Sequence, residues 1–372
     1  MTRPTADHGL SDAQIEALGR EIDAIRERVL ADLGPRDVDY IRAMLRVQRR
    51  MELAGRAMLW LGLLPPFWIG GVVALSLSKI LDNMEIGHNV MHGQYDWTGD
   101  PTLSSRTFEW DTACPADQWR HSHNFLHHTF TNVLGKDRDV GYGILRMSEE
   151  QPWSPRFLAN PIAAFWLAAL FQYGVALHDL ETDRIASGER NLGEMLPLLR
   201  DVARKVRRQV TKDYLLFPLL SGPGFAATLA GNATANLARN FWAFTIIFCG
   251  HFPDGVETFP PDTAEDENRG HWYLRQILGS ANLEGGPLFH ILSGNLSHQI
   301  EHHLFPDLPA HRYAALSEEV RDLCRRYGLP YNTGGLTEQF GSVVRRIFRL
   351  ALPSSRKSEP APVGARAVRA AA

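Results

Sequence analysis

Eight histidines of this chain fall into three short clusters, and their type and spacing point to metal chemistry. On an α-helix each residue advances by about 100°, so two residues four apart share one face and the next residue turns away from it. A helical H-x3-H-H element can therefore offer two imidazoles to one metal ion and a third imidazole to another. The clusters are His88 and His92; His123, His127 and His128; and His298, His302 and His303.

The number of clustered imidazoles argues for two metal ions. A structural zinc ion usually closes its coordination with four ligands, often including cysteine or a carboxylate. Imidazole binds iron, zinc, copper and nickel alike, so ligand type by itself does not name the metal. The cysteines Cys114, Cys249 and Cys324 have no C-x-x-C spacing. They exclude a four-cysteine iron–sulfur cluster and a disulfide framework, and they favour a reducing, cytosolic setting.

Apolar stretches predict the elements that position these histidines. Residues 214–250 contain Arg239 as their only charged side chain. Because about 20 apolar residues cross the hydrocarbon core of a bilayer, this stretch is long enough for two spans. A break near Gly231 and Asn232 would separate the two spans.

Two shorter apolar stretches complete the topology. Residues 57–78 are uncharged, and we expect a hairpin that turns about Pro65 and Pro66. A bilayer cannot divide one metal site, so the chain must cross the membrane an even number of times between the second and third clusters. Residues 158–177 are therefore predicted to be a helix that lies in the membrane interface.

Basic residues precede both predicted hairpins and favour the cytoplasmic side for these segments. They are Arg42, Arg46, Arg49, Arg50 and Arg56 before the first hairpin, and Arg200, Arg204, Lys205, Arg207, Arg208 and Lys212 before the second. The chain is therefore predicted to be a multi-pass protein of the cell membrane with its site on the cytoplasmic side.

The N-terminal segment is charged and predicted to be helical. Ser11 and Gln14 form a capping-box pattern that opens a helix to about Leu33, and a second charged helix follows Pro35. The first fifty residues contain no secretory signal of the charged-then-apolar type. We divide the chain into a cytosolic helical segment (1–52), a membrane domain (53–352) and a tail (353–372) that has too few large apolar residues to fold.

The three clusters resemble the histidine boxes of integral-membrane fatty acid desaturases, in the same order. Leu304-Phe305-Pro306 follows the third box, and the resemblance extends from about Tyr40 to Tyr331. The chain is similar in detail to actinobacterial acyl-CoA desaturases that act at Δ9 of stearoyl-CoA. The stretches that support this are N-M-E-I-G-H at 83–88, C-G-H-F-P-D-G at 249–255 and W-Y-L-R-Q at 272–276.

This resemblance implies an all-α integral membrane fold with four transmembrane helices, arranged as two hairpins beneath a helical cytosolic cap. The cap would hold a non-haem di-iron centre bound by the eight clustered histidines. A ninth ligand, His251, would end the fourth membrane helix. Some relatives have an asparagine four residues earlier that reaches a metal through water. Ile247 stands there in this chain, and Asn295 is the candidate replacement.

Carboxylates near the boxes are expected to accept the second ring N–H of the ligating histidines and so to fix the ring orientation. The candidates are Asp137, Asp254 and Glu301, together with Asp139 and Glu85. His121, His271 and His290 are weaker candidates for the metal or its surroundings, while His8, His178 and His311 are expected to be structural.

The activity that the resemblance implies is O2-dependent desaturation of a long-chain fatty acyl-CoA, with stearoyl-CoA to oleoyl-CoA as the expected reaction. An unactivated methylene offers no acid–base handle, so a cofactor must supply the oxidising power. The chain contains no G-x-G-x-x-G fingerprint for NAD or flavin and no H-P-G-G haem motif. The two electrons of each turnover would come from a separate NADPH-dependent flavin and iron–sulfur oxidoreductase or a ferredoxin. Phe108, Trp110, Trp119 and Phe125 are candidates for lining a hydrocarbon tunnel, although aromatic residues near a membrane boundary more often serve as interfacial anchors or as packing.

Other functions stay open at this stage. An acyl-lipid desaturase, or a fatty acyl or lipid hydroxylase, would use the same iron centre, and the histidines do not distinguish them. A His-rich membrane metal transporter or sensor is the remote alternative. A transporter should hold its ligands at mid-membrane on broken helices, whereas these histidines follow the apolar stretches. No feature of the sequence indicates nucleic-acid binding.

Overall fold

Two antiparallel helical hairpins stand side by side, and the helices that return from their turns lead into the histidine-bearing segments. The computed structural model describes residues 8–178, 180, 191–265 and 267–353. The predicted disorder of the tail concerns residues from 354 onward, which lie outside this description. In chain order the helices are α1 (Asp12–Ala31), α2 (Pro35–Trp60), α3 (Pro65–Ile80), α4 (Ala116–Trp119), α5 (Asn160–Ala169), α6 (Phe171–His178), α7 (Leu192–Val210), α8 (Phe225–His251), α9 (Arg269–Leu278), α10 (Pro287–Leu292), α11 (Gln299–Leu304), α12 (Tyr313–Tyr327) and α13 (Leu336–Ala351).

Shorter segments complete these elements. Wider π-helical turns continue α3 (Leu81–His88), α4 (Arg120–His127) and α7 (Thr211–Leu216), and short α-helical segments follow them at Asn89–Met91, His128–Phe130 and Phe217–Leu220. Tight 3-10 turns occupy Asp96–Thr98, Gly141–Gly143, Pro155–Ala159, Gly222–Gly224, Pro261–Ala264 and Ala310–Arg312. Strands β1 (Asn282–Glu284) and β2 (Thr333–Gly335) pair in parallel, with Asn282 opposite Thr333. The described part of the chain is thus mostly helical and contains two short strands, which agrees with the predicted all-α class.

The N-terminal helices begin where their sequence signals place them. Ser11 caps α1 and accepts a hydrogen bond from the backbone N–H of Gln14, and the Gln14 side chain returns to the backbone of Ser11. The predicted capping box is therefore confirmed. Pro35 occupies the first turn of α2, where the N–H that proline lacks would have no helical partner.

The first hairpin turns at residues 61–64, just before Pro65 and Pro66 rather than at them. Both prolines lie in the first turn of α3, because that turn tolerates a residue without an N–H. Small residues bring α2 and α3 close together. A Cβ added at Gly55 would lie 2.8 Å from the backbone nitrogen of Leu75, so this crossing leaves no room for a side chain.

The predicted break of the second hairpin near Gly231 and Asn232 is wrong. Helix α8 passes through both residues without interruption, and the chain turns instead at residues 221–224, where Gly222 has a φ of +54°. Gly231 packs against Leu59, so this glycine permits close helix packing and does not bend the chain. As a result the first arm of the hairpin is α7 with its extension, which is charged over most of its length.

The four-span topology remains a prediction. Within the described residues, no helix taken singly combines the length and the apolar composition needed to cross a bilayer. Pro155–Ala169 and Phe171–His178 meet that requirement only as a pair, and they are bent by 101° relative to each other. The placement of residues 158–177 in the membrane interface likewise stays a prediction.

A helical cap packs beside the hairpins around its own core. Helix α1 crosses α9, α9 contacts α11, and α12 packs against both α1 and α11. Ile15, Leu18, Tyr273 and Leu304 are among the buried residues of this core. The crossing of α1 and α9 depends on Gly270, where an added Cβ would press into the carbonyl oxygen of Ile15. Helix α9 is thereby held against the chain segment that follows the second histidine cluster.

We predict that Gly270→Ala destabilises the cap. The extra methyl group would force α1 away from α9, and overpacking of this kind typically costs about 1–3 kcal/mol. Thermal unfolding in detergent, followed by circular dichroism, measures the change. Gly335→Ala is the matched control because a Cβ there meets no atom within 4 Å. Equal unfolding midpoints for the two variants would contradict the proposed close approach.

Candidate metal centre

Two of the three histidine clusters lie on π-helical turns and not on regular α-helix. His88 ends the π-helical extension of α3, and His123 and His127 lie within the extension of α4. Such turns recur at functional sites because they insert a residue and redirect the side chains that follow. His88 and His92, four residues apart, share one group of rings as expected. His123 and His127 instead join different groups of rings, although both also lie beside Asp139.

The structure gathers seven imidazoles into two neighbouring groups. In the first group the ligand atoms lie within 4.8 Å of one another, and in the second group they lie equally close. The first group is His88, His92, His123 and His302, and the second group is His127, His251 and His303. His251, predicted only from the resemblance, ends α8 within the second group.

His128 lies between the two groups. Its ring centroid is 4.8 Å from those of His92 and His302, and it stacks on His303 at 4.5 Å. Both of its ring nitrogens are buried and have no hydrogen-bond partner. His128 is thus placed to serve either group.

The ring nitrogens that face the groups fit a metal site. Buried polar atoms in proteins are almost always hydrogen-bonded, yet the Nε2 atoms of His92, His123 and His127 have no partner, and neither ring nitrogen of His302 has one. Lone pairs that converge in a dry interior are the donor set that a metal ion requires. The residues present therefore fit two metal ions.

Hydrogen bonds on the outer side of the rings hold them in this orientation. His127 Nδ1 lies 3.0 Å from Asp137, and His123 Nδ1 lies 3.3 Å from Asp139. His303 Nδ1 lies 2.9 Å from the amide oxygen of Gln276. When Nδ1 carries the proton and donates it outward, Nε2 keeps its lone pair for a metal.

His178 has a larger role than the sequence indicated. Its Nε2 atom lies 3.0 Å from Asp139, so this carboxylate is held by His178 while it orients His123. The only sequence signal for this contact is the position of His178 at the end of an apolar helix. His178 and Asp139 lie 39 residues apart, so the contact forms only when the chain folds.

The predicted ligand His298 is not brought to either group. Its ring lies against His290, with centroids 4.5 Å apart. His298 precedes α11 with φ −105° and ψ 59°, so it does not share the helical face of His302 and His303. The prediction assumed one continuous helix through the third cluster, and the backbone departs from a helix at this residue.

Gln299 takes the place that was assigned to His298. It is the first residue of α11, its amide nitrogen lies 2.9 Å from His251 Nε2, and its Oε1 is buried without a partner. The nitrogen and oxygen of a side-chain amide are nearly indistinguishable in shape, so the Gln299 amide can be turned by half a rotation. In that orientation its oxygen would face the second group. The sequence signal was the Q-x-x-H-H spacing inside the third cluster.

Three other predicted residues lie away from the rings. Asn295 donates to Glu85 at 2.9 Å, and Asp254 is largely exposed beside Arg345. Glu301 accepts hydrogen bonds from Asn282 and Tyr331. Glu301 directly precedes His302, and successive residues of a helix point about 100° apart, so its carboxylate faces away from the metal groups.

The remaining histidines find partners elsewhere. His121 stacks on Phe125, His271 contacts Asn268, and His290 contacts Ser297. His8 pairs with Glu257, and His311 pairs with Asp37. None of these five joins the metal groups that the described residues form.

Burial keeps most of the clustered rings neutral. Desolvation, followed by the neighbouring rings, holds the pKa values of His128, His302 and His303 well below their usual range. Burial also lowers the pKa of His127, but the carboxylates of Asp137 and Asp139 outweigh it, and the net shift is upward. Neutral imidazole is the form that binds a metal ion.

An apolar cavity reaches one side of the metal groups. Its residues come mainly from the α3 extension, from α4 with its extension, from α6 and from α8. Of the four aromatic candidates, Trp110 and Trp119 line the cavity, whereas Phe108 and the exposed Phe125 do not. Its lining is Asn83, Met84, His88, Trp110, Thr112, Cys114, Trp119, His123, His127, Asp139, Tyr142, Phe171, Gln172, Val175, Asn240, Ile247, His251, Leu296 and Gln299. Ile247 thus contributes apolar surface where some relatives have a polar residue.

A charged pocket adjoins this cavity. The two share Trp110 and Thr112, which lie between them. Five cationic and four acidic side chains line it, namely Arg49, Lys79, Lys205, Arg208 and Lys212, and Glu52, Asp82, Glu109 and Asp111. The site therefore combines an apolar compartment beside the rings with a compartment of mixed charge farther out.

Comparison with known proteins agrees with this geometry. A family model described as fatty acid desaturase matches residues 58–335. The chain is 47% identical over 348 residues to the NADPH-dependent stearoyl-CoA 9-desaturase of Mycobacterium tuberculosis, covering 92% of this chain and 82% of that protein. It is 24% identical over 273 residues to the sn-1 linoleoyl-lipid 6-desaturase of Synechocystis sp., covering 72% and 75%.

We predict that His302→Ala lowers the metal content of the purified protein by about one ion per chain, because it removes a ring from the centre of the first group. Plasma emission spectroscopy on protein produced with iron available measures the content. His298→Ala is the matched control and should retain the wild-type content. If His298→Ala lost metal while His302→Ala kept it, the assignment of these two residues would be reversed.

Proposed function

This chain belongs to the fatty acid desaturase family, and on that premise we propose that it catalyses the O2-dependent desaturation of a long-chain fatty acyl-CoA, with stearoyl-CoA to oleoyl-CoA as the expected reaction. The observation that supports this most directly is the contact between an apolar cavity and two adjoining groups of neutral imidazoles. A cavity of this kind suits a hydrocarbon chain, and the rings suit a redox-active metal pair.

The proposed metals are two iron ions. The first group would hold one ion and the second group the other, with Gln299 beside the second group and His128 between them. When bound, such a pair uses O2 and two electrons to remove hydrogens from two neighbouring methylenes, which is the chemistry that protein side chains lack. The other requirements of the reaction fall to the chain's own residues.

The cavity residues would position the acyl chain and exclude water. His251 and Asn240 both line the cavity on α8, and their separation of eleven residues corresponds to about 16 Å of helix. A channel of that length aligns one part of an extended chain with the rings. Holding the reacting carbons at a fixed distance contributes to the rate by near-attack geometry.

The charged pocket would bind the coenzyme A end of the substrate. Lys212 forms an ion pair with Asp111, and Lys205 pairs with Glu109, so both lysines are tied to the segment that carries Trp110. Arg49 and Arg208 are exposed at the pocket. Exposed guanidinium groups such as these two suit the phosphates of coenzyme A, while Trp110 and Thr112 mark the passage to the apolar cavity.

Reducing equivalents would come from another protein. The name of the mycobacterial relative specifies dependence on NADPH, and this chain has no dinucleotide fingerprint. A separate NADPH-dependent flavin and iron–sulfur oxidoreductase, or a ferredoxin, fits both facts. The donor would deliver two electrons per turnover.

The protein would function in the cell membrane, with the metal centre on the cytoplasmic side. The turns of the two hairpins expose large apolar side chains, including Leu63, Leu64, Leu219 and Leu220. These turns lie together, since Gly62 is close to Ala227. Exposed apolar surface of this kind suits contact with lipid.

We predict that expression in a host lacking this activity produces a new unsaturated fatty acid, with the double bond at carbon 9 of an 18-carbon chain. Gas chromatography of the fatty acid methyl esters detects the product. Mass spectrometry of the dimethyl disulfide adduct of each ester locates the carbon–carbon double bond. The His302→Ala variant serves as the inactive control. A hydroxy acid, or a product found only on intact lipids, would favour the hydroxylase or the acyl-lipid desaturase instead.

We predict that Arg208→Gln raises the KM for acyl-CoA by about three- to tenfold with little change in kcat, because it removes one phosphate-attracting charge far from the rings. Steady-state assays with stearoyl-CoA at several ionic strengths measure the effect. Arg204→Gln is the matched control, since Arg204 lies on the same helix but pairs with Asp201. Equal kinetics for the two variants would remove the charged pocket from substrate binding.

A further inference from the structure

One face of α9 connects the protein surface with the histidine groups. Arg269, Trp272 and Gln276 follow one another at helical spacings of three and four residues, so they share that face. The Arg269 side chain is 55% exposed, Trp272 is half-buried, and Gln276 is fully buried. The face therefore begins at solvent and ends in the interior.

Two hydrogen bonds join this face to histidines of the metal groups, one at a main-chain carbonyl and one at a ring nitrogen. The indole Nε1–H of Trp272 donates to the main-chain carbonyl of His128 at 3.2 Å. Gln276 accepts at its amide oxygen from His303 Nδ1 at 2.9 Å. The Trp272 bond therefore ends on the backbone of His128, the residue whose ring lies between the two groups.

The face approaches the rings from the side away from the apolar cavity. The described residues that line the cavity include His88, His123 and His127, but neither His128 nor His303. A group that enters along α9 would not compete with an acyl chain for the same space.

The surface end of this face is aromatic and flanked by two ion pairs, Arg269 with Asp23 and Lys136 with Glu265. Phe130 and Trp272 both pack at the edge of the cap core and are partly exposed. The guanidinium of Arg269 lies 5.3 Å from the Trp272 ring, and the ammonium of Lys136 lies 5.6 Å from the Phe130 ring. We call these four residues the aromatic patch. Tryptophan and arginine are enriched where proteins dock, and small redox interfaces need little buried area.

Resting on the function proposed above, we propose that Trp272 is the point at which electrons enter the metal centre, and that a one-electron carrier protein docks on the aromatic patch. In each turnover, one O2, two hydrogens from the substrate, two electrons and two protons form two water molecules and one double bond. The reduced carrier loses one electron in each of two encounters. Each electron passes from the indole through its hydrogen bond to the main-chain carbonyl of His128 and then through the covalent bonds of that residue to its ring.

Two tryptophan variants and two reductants test this proposal. Trp272→Leu removes the indole, and Trp272→Phe keeps an aromatic ring but removes the hydrogen bond to His128. Trp153→Leu is the matched control, because Trp153 is also half-buried and donates to a main-chain carbonyl, that of Ala351.

The iron-loaded proteins are reduced either by a [2Fe–2S] ferredoxin with NADPH and its flavoprotein reductase, or by dithionite with methyl viologen. Stopped-flow absorbance records the reduction, and iron content and unfolding midpoint are measured in parallel.

We expect Trp272→Leu to slow reduction by ferredoxin about tenfold, as for loss of a central interface tryptophan. Reduction by methyl viologen, iron content and the unfolding midpoint should match those of Trp153→Leu. Trp272→Phe should also slow reduction by ferredoxin, with its packing preserved. Equal slowing with both reductants would assign Trp272 a structural role and overturn the proposal, as would unchanged ferredoxin reduction in both Trp272 variants. Failure of the proposed function appears differently, as wild-type protein that takes up no iron or forms no alkene with either reductant.

Discussion

The structure depends on one constraint, the burial of neutral imidazole nitrogens that have no hydrogen-bond partner. An unsatisfied polar atom in a protein interior typically costs about 1–3 kcal/mol, and here several such atoms converge in one place. A metal ion removes that cost by accepting the lone pairs. The surrounding residues are arranged so that the rings keep their lone pairs directed inward even though water would solvate them better.

The scaffold maintains this arrangement from outside the rings. Asp137 and Asp139 hold two rings from one side, and Gln276 holds a third from α9. Close packing then fixes the helices themselves, as at Gly270, where α9 crosses α1 without space for a methyl group. Small residues permit the helix contacts, the contacts place the hydrogen-bond acceptors, and the acceptors set the direction of each ring.

Substrate and electrons have separate approaches to the proposed centre. The apolar cavity and its charged neighbour lie among α2, α3, α7 and α8, whereas α9 reaches His128 and His303 from the cap. An acyl chain in the cavity can stay enclosed while a redox partner contacts the other face. This separation suits an enzyme that must exclude water from the reacting carbons and still receive electrons from a second protein.

The sequence by itself determined the features that depend on neighbouring residues, namely the capping box of α1, the helical content and most members of the two imidazole groups. The roles of His298, Gln299 and His178 were decided only by the tertiary structure. A backbone departure from helix at His298 turns that ring to His290 and leaves Gln299 beside His251. The turn at residues 221–224, rather than at Gly231, was also decided by packing, because Gly231 is needed against Leu59. Local spacing fixes which side chains can act together along one element, whereas the choice of partners across elements follows from through-space contacts that no local pattern encodes.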